Sequence, residues 1–279
     1  MPLSSEPEIL RCSLTSSILD LKCLGQNLED LELMDQPDQE SSKINCLSNE
    51  YIFYRSTTNS FFFSFCLIVA SALKTLWLLG AIDNTQSLTP SGHKMGLFPL
   101  SPLHACALLA SQTYQCTSAV LSIISILSAS SKLFLDASDQ RESVRNVRKM
   151  FEHSRGDHLM VLNAVRAYEA VRAGEGQNHQ YGSNSGHKWK QREWCHKHFL
   201  NERTFIEARD IREQLVRTCK RVGLDPSASV KKEEEEAEAV MRSLGHGLVG
   251  NSALLQPDGS YKQTIGQRVN LLSFLFSLP

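Results

Sequence analysis

The sequence predicts a mainly α-helical fold that ends in a short β segment. Three observations carry this. Leu159, Leu162, Val165 and Tyr168 recur at three-residue steps, and Phe205, Ala208, Ile211, Leu215, Cys219 and Val222 step by three and four, so each set lies along one helical face. Between Val120 and Ser128 the chain is apolar nearly all round, which suits a helix in the middle of a bundle. After Gly247 the pattern changes. Gly247–Asn251, Leu254-Leu255, a Pro257-Asp258-Gly259-Ser260 turn and Tyr261-Lys262 read as strand, strand, turn, strand.

Taken in order, Leu14, Ile18, Leu21 and Leu24 share a helical face, with Ser13 as N-cap and Gly25 as stop. Met34-Asp35-x-Pro37 opens the next helix. Residues 72–83 form a helix with an apolar stripe and a stop at Gly80, and Leu88-Thr89-x-x-Gly92-x-x-Met95 with Pro99-Leu100-x-Pro102 reads as a short hairpin or wing. A helix starts near Leu103 and runs to Ser111. Asp139 to Phe151 is charged, with Val144, Val147 and Phe151 as its sparse stripe. Asp157 stands ahead of the Leu159 stripe, where a carboxylate complements the positive helix end. Gly174 to Lys190 holds four glycines and no apolar periodicity, so a flexible surface loop is expected before the chain resumes at Glu193-Trp194-Cys195. Asn201 and Gly223 bracket the long helix as N-cap and C′ residue. The two striped helices are expected to fold back on one another as an antiparallel pair. Asp225-Pro226 breaks the second, and the charge run Lys231–Glu236 is the solvated start of a short helix through Met241-Arg242.

A chain of 279 residues, 42% hydrophobic, holds one large domain or two to three small ones. Its net charge of −1 leaves no overall electrostatic footprint for nucleic acid, so any such contact must come from local clusters. The eight cysteines are scattered with no C-x-x-C pair, which points to free thiols in a reducing compartment. Met1 to Glu8 lacks the basic-then-apolar pattern of a signal peptide. Phe61 to Ile82 approaches bilayer length, but Lys74 lies inside it at a cost of about 3 kcal/mol, and its second half is amphipathic. No membrane span is expected.

No G-x-x-x-x-G-K-[ST] loop and no Asp-Glu-Ala-His box occurs, so nothing here cradles β- and γ-phosphates or holds Mg²⁺, and ATP hydrolysis by this chain alone is not expected. Gly245-His246-Gly247-Leu248-Val249-Gly250 spells G-x-G-x-x-G, yet a helix precedes it and strands come after, the reverse of a dinucleotide site. Cys195, His196 and His198, with His187 nearby, suggest zinc only superficially. Adjacent side chains on a helix point about 100° apart and no second ligand pair appears. Trp194 and Cys195 are expected in the core, with His196 and His198 at the surface, and His158 in a structural role, satisfying neighbouring backbone, with contact to RNA as the alternative.

Gly156-Asp157-His158-Leu159 with Leu162-Asn163, Trp194-Cys195, Phe199-Leu200-Asn201 and Arg212-x-Gln214-Leu215, in that order, resemble the helicase-associated domain of DEAH-box RNA helicases. Pro7-Glu8-Ile9-x-Arg11 and Leu19-x-Leu21-Lys22-x-Leu24-Gly25 are similar to the junction just after the family's second motor domain. The resemblance implies a mainly α architecture: a winged helix over residues 1–100, a helical bundle (the ratchet domain) over 101–224, and a truncated β OB-fold over 225–279. Gly266-Gln267-Arg268-Val269 is the last strand that matches, and Asn270 to Pro279 departs. Residues 44–70 also depart and are expected to be an extra segment within the winged helix.

The same resemblance implies part of an ATP-dependent helicase that remodels RNA or RNA–protein complexes, in pre-mRNA splicing or ribosome production, in the nucleus. Its partners would be RNA, the motor domains and a glycine-patch activator protein, with ATP and Mg held by the motor domains and no cofactor in this chain. The RNA-contact candidates are Arg203, Arg209, Arg212, Arg217, Lys220 and Arg221 on the long helix, acting through phosphates. The competing reading is a solvated face paired with Glu202, Glu207, Asp210 and Glu213, with Arg212 holding the domain together. The rival function is a non-enzymatic adaptor that binds RNA or a helicase.

Overall fold

Ten α-helices and one three-stranded sheet make up the residues that the computed structural model describes, 13–26, 60–136, 140–176, 184–263 and 268–269. The expectations for Pro7–Arg11, Met34–Pro37, residues 44–59 and Asn270–Pro279 lie outside them. The chain is mainly α, as its periodicities require. It divides into two units, one reaching Leu109 and resuming at Gly245, the other Ala110–Leu244.

In the first unit, α1 (Thr15–Cys23) packs on α2 (Ser60–Leu78) and α3 (Pro90–Gly96). The α1 stripe is offset from expectation: Ile18 and Leu19 are buried, whereas Leu24 caps the helix and is 76% exposed. Gly25 takes φ +76°, so that its N–H and that of Gln26 satisfy the Lys22 and Leu21 carbonyls, as a helix terminator must. Ser13 reaches the Thr15 N–H at 3.4 Å. Residues 60–70 are helical and continuous with the expected 72–83 helix. No described helix is long and apolar enough to cross a membrane.

Past Gly80, Ile82 and Leu88 form an antiparallel bridge around a turn that Asp83 organises through the Thr85 and Ser87 N–H groups. Residues 92–95, expected in a wing, belong instead to the helix α3. Thr89 accepts from the Gly92 N–H at 2.9 Å and Pro90 sits at the first helical position, two start signals that outrank the glycine. Gly92 is required there, because a Cβ would run into the Ala81 carbonyl oxygen. The sheet belongs to this unit: β1 (Ala253–Leu255), β2 (Tyr261–Gln263) and β3 (Arg268–Val269) form an antiparallel meander, with Leu254 opposite Lys262 and Lys262 opposite Arg268. Residues 249–251 form a 3-10 turn instead of the expected first strand.

The second unit is built round α5 (Thr117–Leu127), which follows α4 (Pro102–Ser111) and whose residues from Ala119 to Ile126 are all buried. Against it lie α9 (Glu202–Val222) and α7 (Asp157–Gly176). The two striped helices are therefore joined mainly through α5; they meet directly where the Tyr168 and Phe205 rings stack, 4.2 Å between centroids. An apolar rod needs cover on several sides, which is why it takes the central place. Asp157 is the first residue of α7, after Gly156 at φ +115°.

The expected loop 174–190 is corrected in its second part: α8 runs over Asn184–Lys197, so residues 184–190 are helical. Trp194 and Cys195 anchor that helix in the core, and the Lys, Gln and Arg residues ahead of them are good helix formers that extend it backwards. His198 is not a free surface group. Its Nδ1 lies 2.7 Å from the Trp194 carbonyl and its ring packs 4.4 Å from the indole. α6 (Arg141–Lys149) buries Val144, packs Val147 against the same core and, just past its end, drops Phe151 into it. α10 (Glu233–Gly247) begins in this unit and is longer than expected. Its acidic start is not wholly solvated, since Glu236 is buried and takes both oxygens to Arg166 at 2.6 and 2.8 Å.

Candidate nucleic-acid interface

The long helix that carries all six candidate cations is held at both ends and along one face. Asn201 accepts the Arg203 N–H at its start, and its own N–H donates to Leu133. At the other end Gly223 adopts φ +83°, and the Leu224 N–H closes on the Cys219 carbonyl at 2.9 Å. Phe205, Ala208, Leu215 and Cys219 are buried as the stripe demands, with Ile211 and Val222 at the margins. Two threonines that the stripe omitted, Thr204 and Thr218, are buried too. Thr204 Oγ1 bonds the Ser131 and Lys132 carbonyls, and Thr218 Oγ1 bonds the Gln214 carbonyl, so each hydroxyl is satisfied.

With the backbone fixed in this way, helical geometry places the charges. Turning about 100° per residue from Ala208, Arg212 lies near the buried face, Arg209 and Lys220 on one flank, Arg217 at the back, and Arg203 and Arg221 beyond it. The six do not make one patch. Arg217, Lys220 and Arg221 gather in the last turn and a half, and Arg203 stands about 27 Å from Arg221 along the axis. All but Arg212 are exposed.

Of the expected carboxylate partners, Asp210 and Glu213 are exposed among these cations, yet few close ion pairs form. Arg209 reaches Asp210 at 3.7 Å, and that is the one ion pair on the helix among the described residues. Glu207 turns to the loop after α5 instead. It accepts from the Ser130 N–H at 2.9 Å and hydroxyl at 2.8 Å, and those bonds hold its carboxyl below the usual range. Among the described residues Arg217 and Arg221 bond within their own helix, to the Glu213 carbonyl and Thr218 Oγ1.

Arg212 differs from the other five. It is half-buried, one terminal nitrogen donates to Ser118 Oγ at 3.2 Å on α5, and its Nε is buried with no partner among the described residues. This side chain ties α9 to the central helix.

His158 is half-buried, and burial pushes its pKa down against the smaller opposing pull of Asp157. Cys195 is buried and its thiol is pushed up to about 12, so it stays protonated. Among the described residues no three His, Cys, Asp or Glu side chains gather closely enough to hold a metal ion.

The Arg166–Glu236 pair escaped the sequence reading, although Glu236, Val240, Ser243 and Leu244 recur at helical steps and are all buried. That spacing was the available signal.

Comparison with known proteins bears on what such a face is for. Residues 72–100 match the winged-helix part of the helicase associated domain (HA2), and residues 101–161 match its ratchet-like part. The chain is 32% identical over 262 residues to the human ATP-dependent RNA helicase DHX33, which covers 92% of this chain and 30% of the relative. The mouse DHX33 is 30% identical over the same length and coverage. A probable ATP-dependent RNA helicase, the DHX35 homolog of Caenorhabditis elegans, is 30% identical over 225 residues, 80% of this chain and 25% of that protein. The chain thus spans less than a third of the length of these relatives.

Proposed function

Because the chain belongs to the helicase-associated family of DEAH-box RNA helicases, we propose that it serves as the C-terminal accessory part of such an enzyme and forms one wall of a single-stranded RNA channel. The observation that carries this is the exposed face of α9, where five cations stand on a rigid, doubly capped helix with one ion pair among the described residues. Guanidinium and ammonium groups so placed grip phosphate oxygens, which gives affinity without sequence choice. That suits a surface along which RNA moves. Arg212 contributes by fixing α9 to α5.

In this reading ATP and Mg are bound by motor domains distinct from these residues, for this chain supplies no phosphate-binding loop. The enzyme would remodel RNA–protein assemblies in the nucleus, in splicing or ribosome production, with a glycine-patch protein as activator. Similarity to ATP-dependent RNA helicases supports RNA as the substrate class, and nothing more specific.

The test is binding of the whole chain to a fluorescent oligo-U across a salt series. Wild type should bind weakly, with log K falling linearly as log salt rises. The triple variant Arg217→Gln/Lys220→Gln/Arg221→Gln should lose up to about 2 from that slope, at about 0.7 per phosphate contact on a single strand. Wild-type binding with no salt dependence, or none at all, overturns the proposal.

A further inference from the structure

A second set of cations, which the six α9 candidates do not include, lies on α6. Arg141, Arg145 and Lys149 succeed one another at four-residue steps, all exposed, and none has a carboxylate partner among the described residues. Over residues 141–155 there are five Arg and Lys against two Glu, in a chain whose net charge is −1. The excess is therefore local. Arg148, the remaining cation of α6, is consumed internally: it pairs with Asp136 at 2.5 Å, reaches the Leu135 carbonyl and lies 5.6 Å from the Phe134 ring centre.

This arrangement works against the helix that carries it. Like charges at i, i+4 repel, and each pair costs a few tenths of a kcal/mol. Arg141 also occupies the first position of α6, where the helix dipole disfavours a cation, although Glu142 in the first turn and Lys149 in the last complement that dipole. Val144 and Phe151 nevertheless lock the helix into the core, so its charged flank is held in place and not left to swing. A rigidly presented stripe of mutually repelling cations is a surface that an outside anion would relieve.

We propose that the Arg141–Arg145–Lys149 flank of α6 is a second contact for the backbone of single-stranded RNA, which continues a path that starts beside α9. The stripe spans about 12 Å, enough for successive phosphates of an extended strand. Residues 133–136 link the two helices, since Arg148 bonds Leu135 and Asp136 while the Asn201 N–H at the head of α9 bonds Leu133. Arg148 of α6 and Asn201 at the head of α9 thus flank one short segment. Being cations without a shaped pocket, they read charge and not base identity. The inference rests on the RNA-handling reading above but assigns a different surface.

The experiment uses the whole chain with Arg141→Gln/Arg145→Gln/Lys149→Gln, alongside wild type and the α9 triple variant. Fluorescent oligo-U is titrated across the salt series, and polyglutamate of equal charge competes in a parallel arm. Removing the stripe should weaken oligo-U binding roughly tenfold at low salt and lower the salt slope by about 2. Melting temperature should hold or rise, because repulsion has been removed, and that readout separates lost contact from lost fold.

Unchanged affinity and slope in the α6 variant, with the α9 variant impaired, overturn this inference and leave the channel reading standing. Absence of oligo-U binding in wild type overturns both. Polyglutamate that binds through α6 more tightly than oligo-U would make an acidic protein the partner and overturn the RNA assignment.

Discussion

At the scale of single residues, this protein is held by its helix ends. Among the described residues five helices finish with the same pair of backbone bonds, and the residue that reverses the chain takes positive φ each time: Gly25, Gly80, Gly223 and, less comfortably, Gln115 and Phe199. A side chain in the left-handed region costs about 1–2 kcal/mol, which glycine avoids. Opposite changes should therefore have opposite effects. Gly223→Ala should lower stability by about 1 kcal/mol, since nothing lies within 4 Å of the added methyl to clash and backbone strain alone is in play. Gln115→Gly should raise stability by about 0.5 kcal/mol, the relief of strain being offset partly by a freer unfolded chain and by loss of the side-chain bond to the Gln112 carbonyl. Thermal unfolding of the two variants checks both signs. If both destabilise, the side chain of Gln115 contributes more than its backbone strain costs.

At the scale of elements, α5 decides the architecture and Glu236 decides where α10 starts. The apolar run from Val120 to Leu127 was legible in the sequence because nothing else explains a helix with no polar face. Less legible was that α7 and α9 would meet chiefly through it, since periodicity reports which face is buried and not against what. The same limit hid α8: the glycines and histidines of residues 174–190 read as loop, while the helix is extended from a core anchor at Trp194 and Cys195 that local pattern cannot weigh. Glu236 was hidden among three exposed neighbours of the same type. Its carboxylate is buried, whereas Arg166 keeps 45% of its side chain in solvent, so part of the attraction is screened. Glu236→Gln should therefore cost about 1–2 kcal/mol, less than a fully buried pair would. A double-mutant cycle with Arg166→Gln should return a coupling of at least about 0.5 kcal/mol from thermal melts. Zero coupling would mean that Val240 and Leu244 hold α10 by packing alone.

At the scale of the whole molecule, charge is arranged by surface and not by composition. A net charge of −1 gave no hint of RNA, and the family words around Gly156 and Trp194 did what bulk numbers do not. They carried the helicase relation without fixing which cations face a ligand, because a word match places residues in order and says nothing of whether a neighbouring carboxylate neutralises them. The structure supplies that second fact for α9 and α6. It bears in turn on nucleotide dependence. A ligand shifts a binding equilibrium only through a difference in its affinity for the two states, and because this sequence carries no phosphate-binding loop we propose that the chain by itself does not respond to ATP. Oligo-U affinity of this chain should therefore be the same with and without saturating Mg–ATP, and phosphate release should stay at the buffer background with or without RNA. Joined to motor domains, the same surface would become nucleotide-dependent only because those domains move against it. Turnover above background, or an ATP-dependent change in affinity for the chain alone, would show that a nucleotide site exists here which its sequence motifs do not announce.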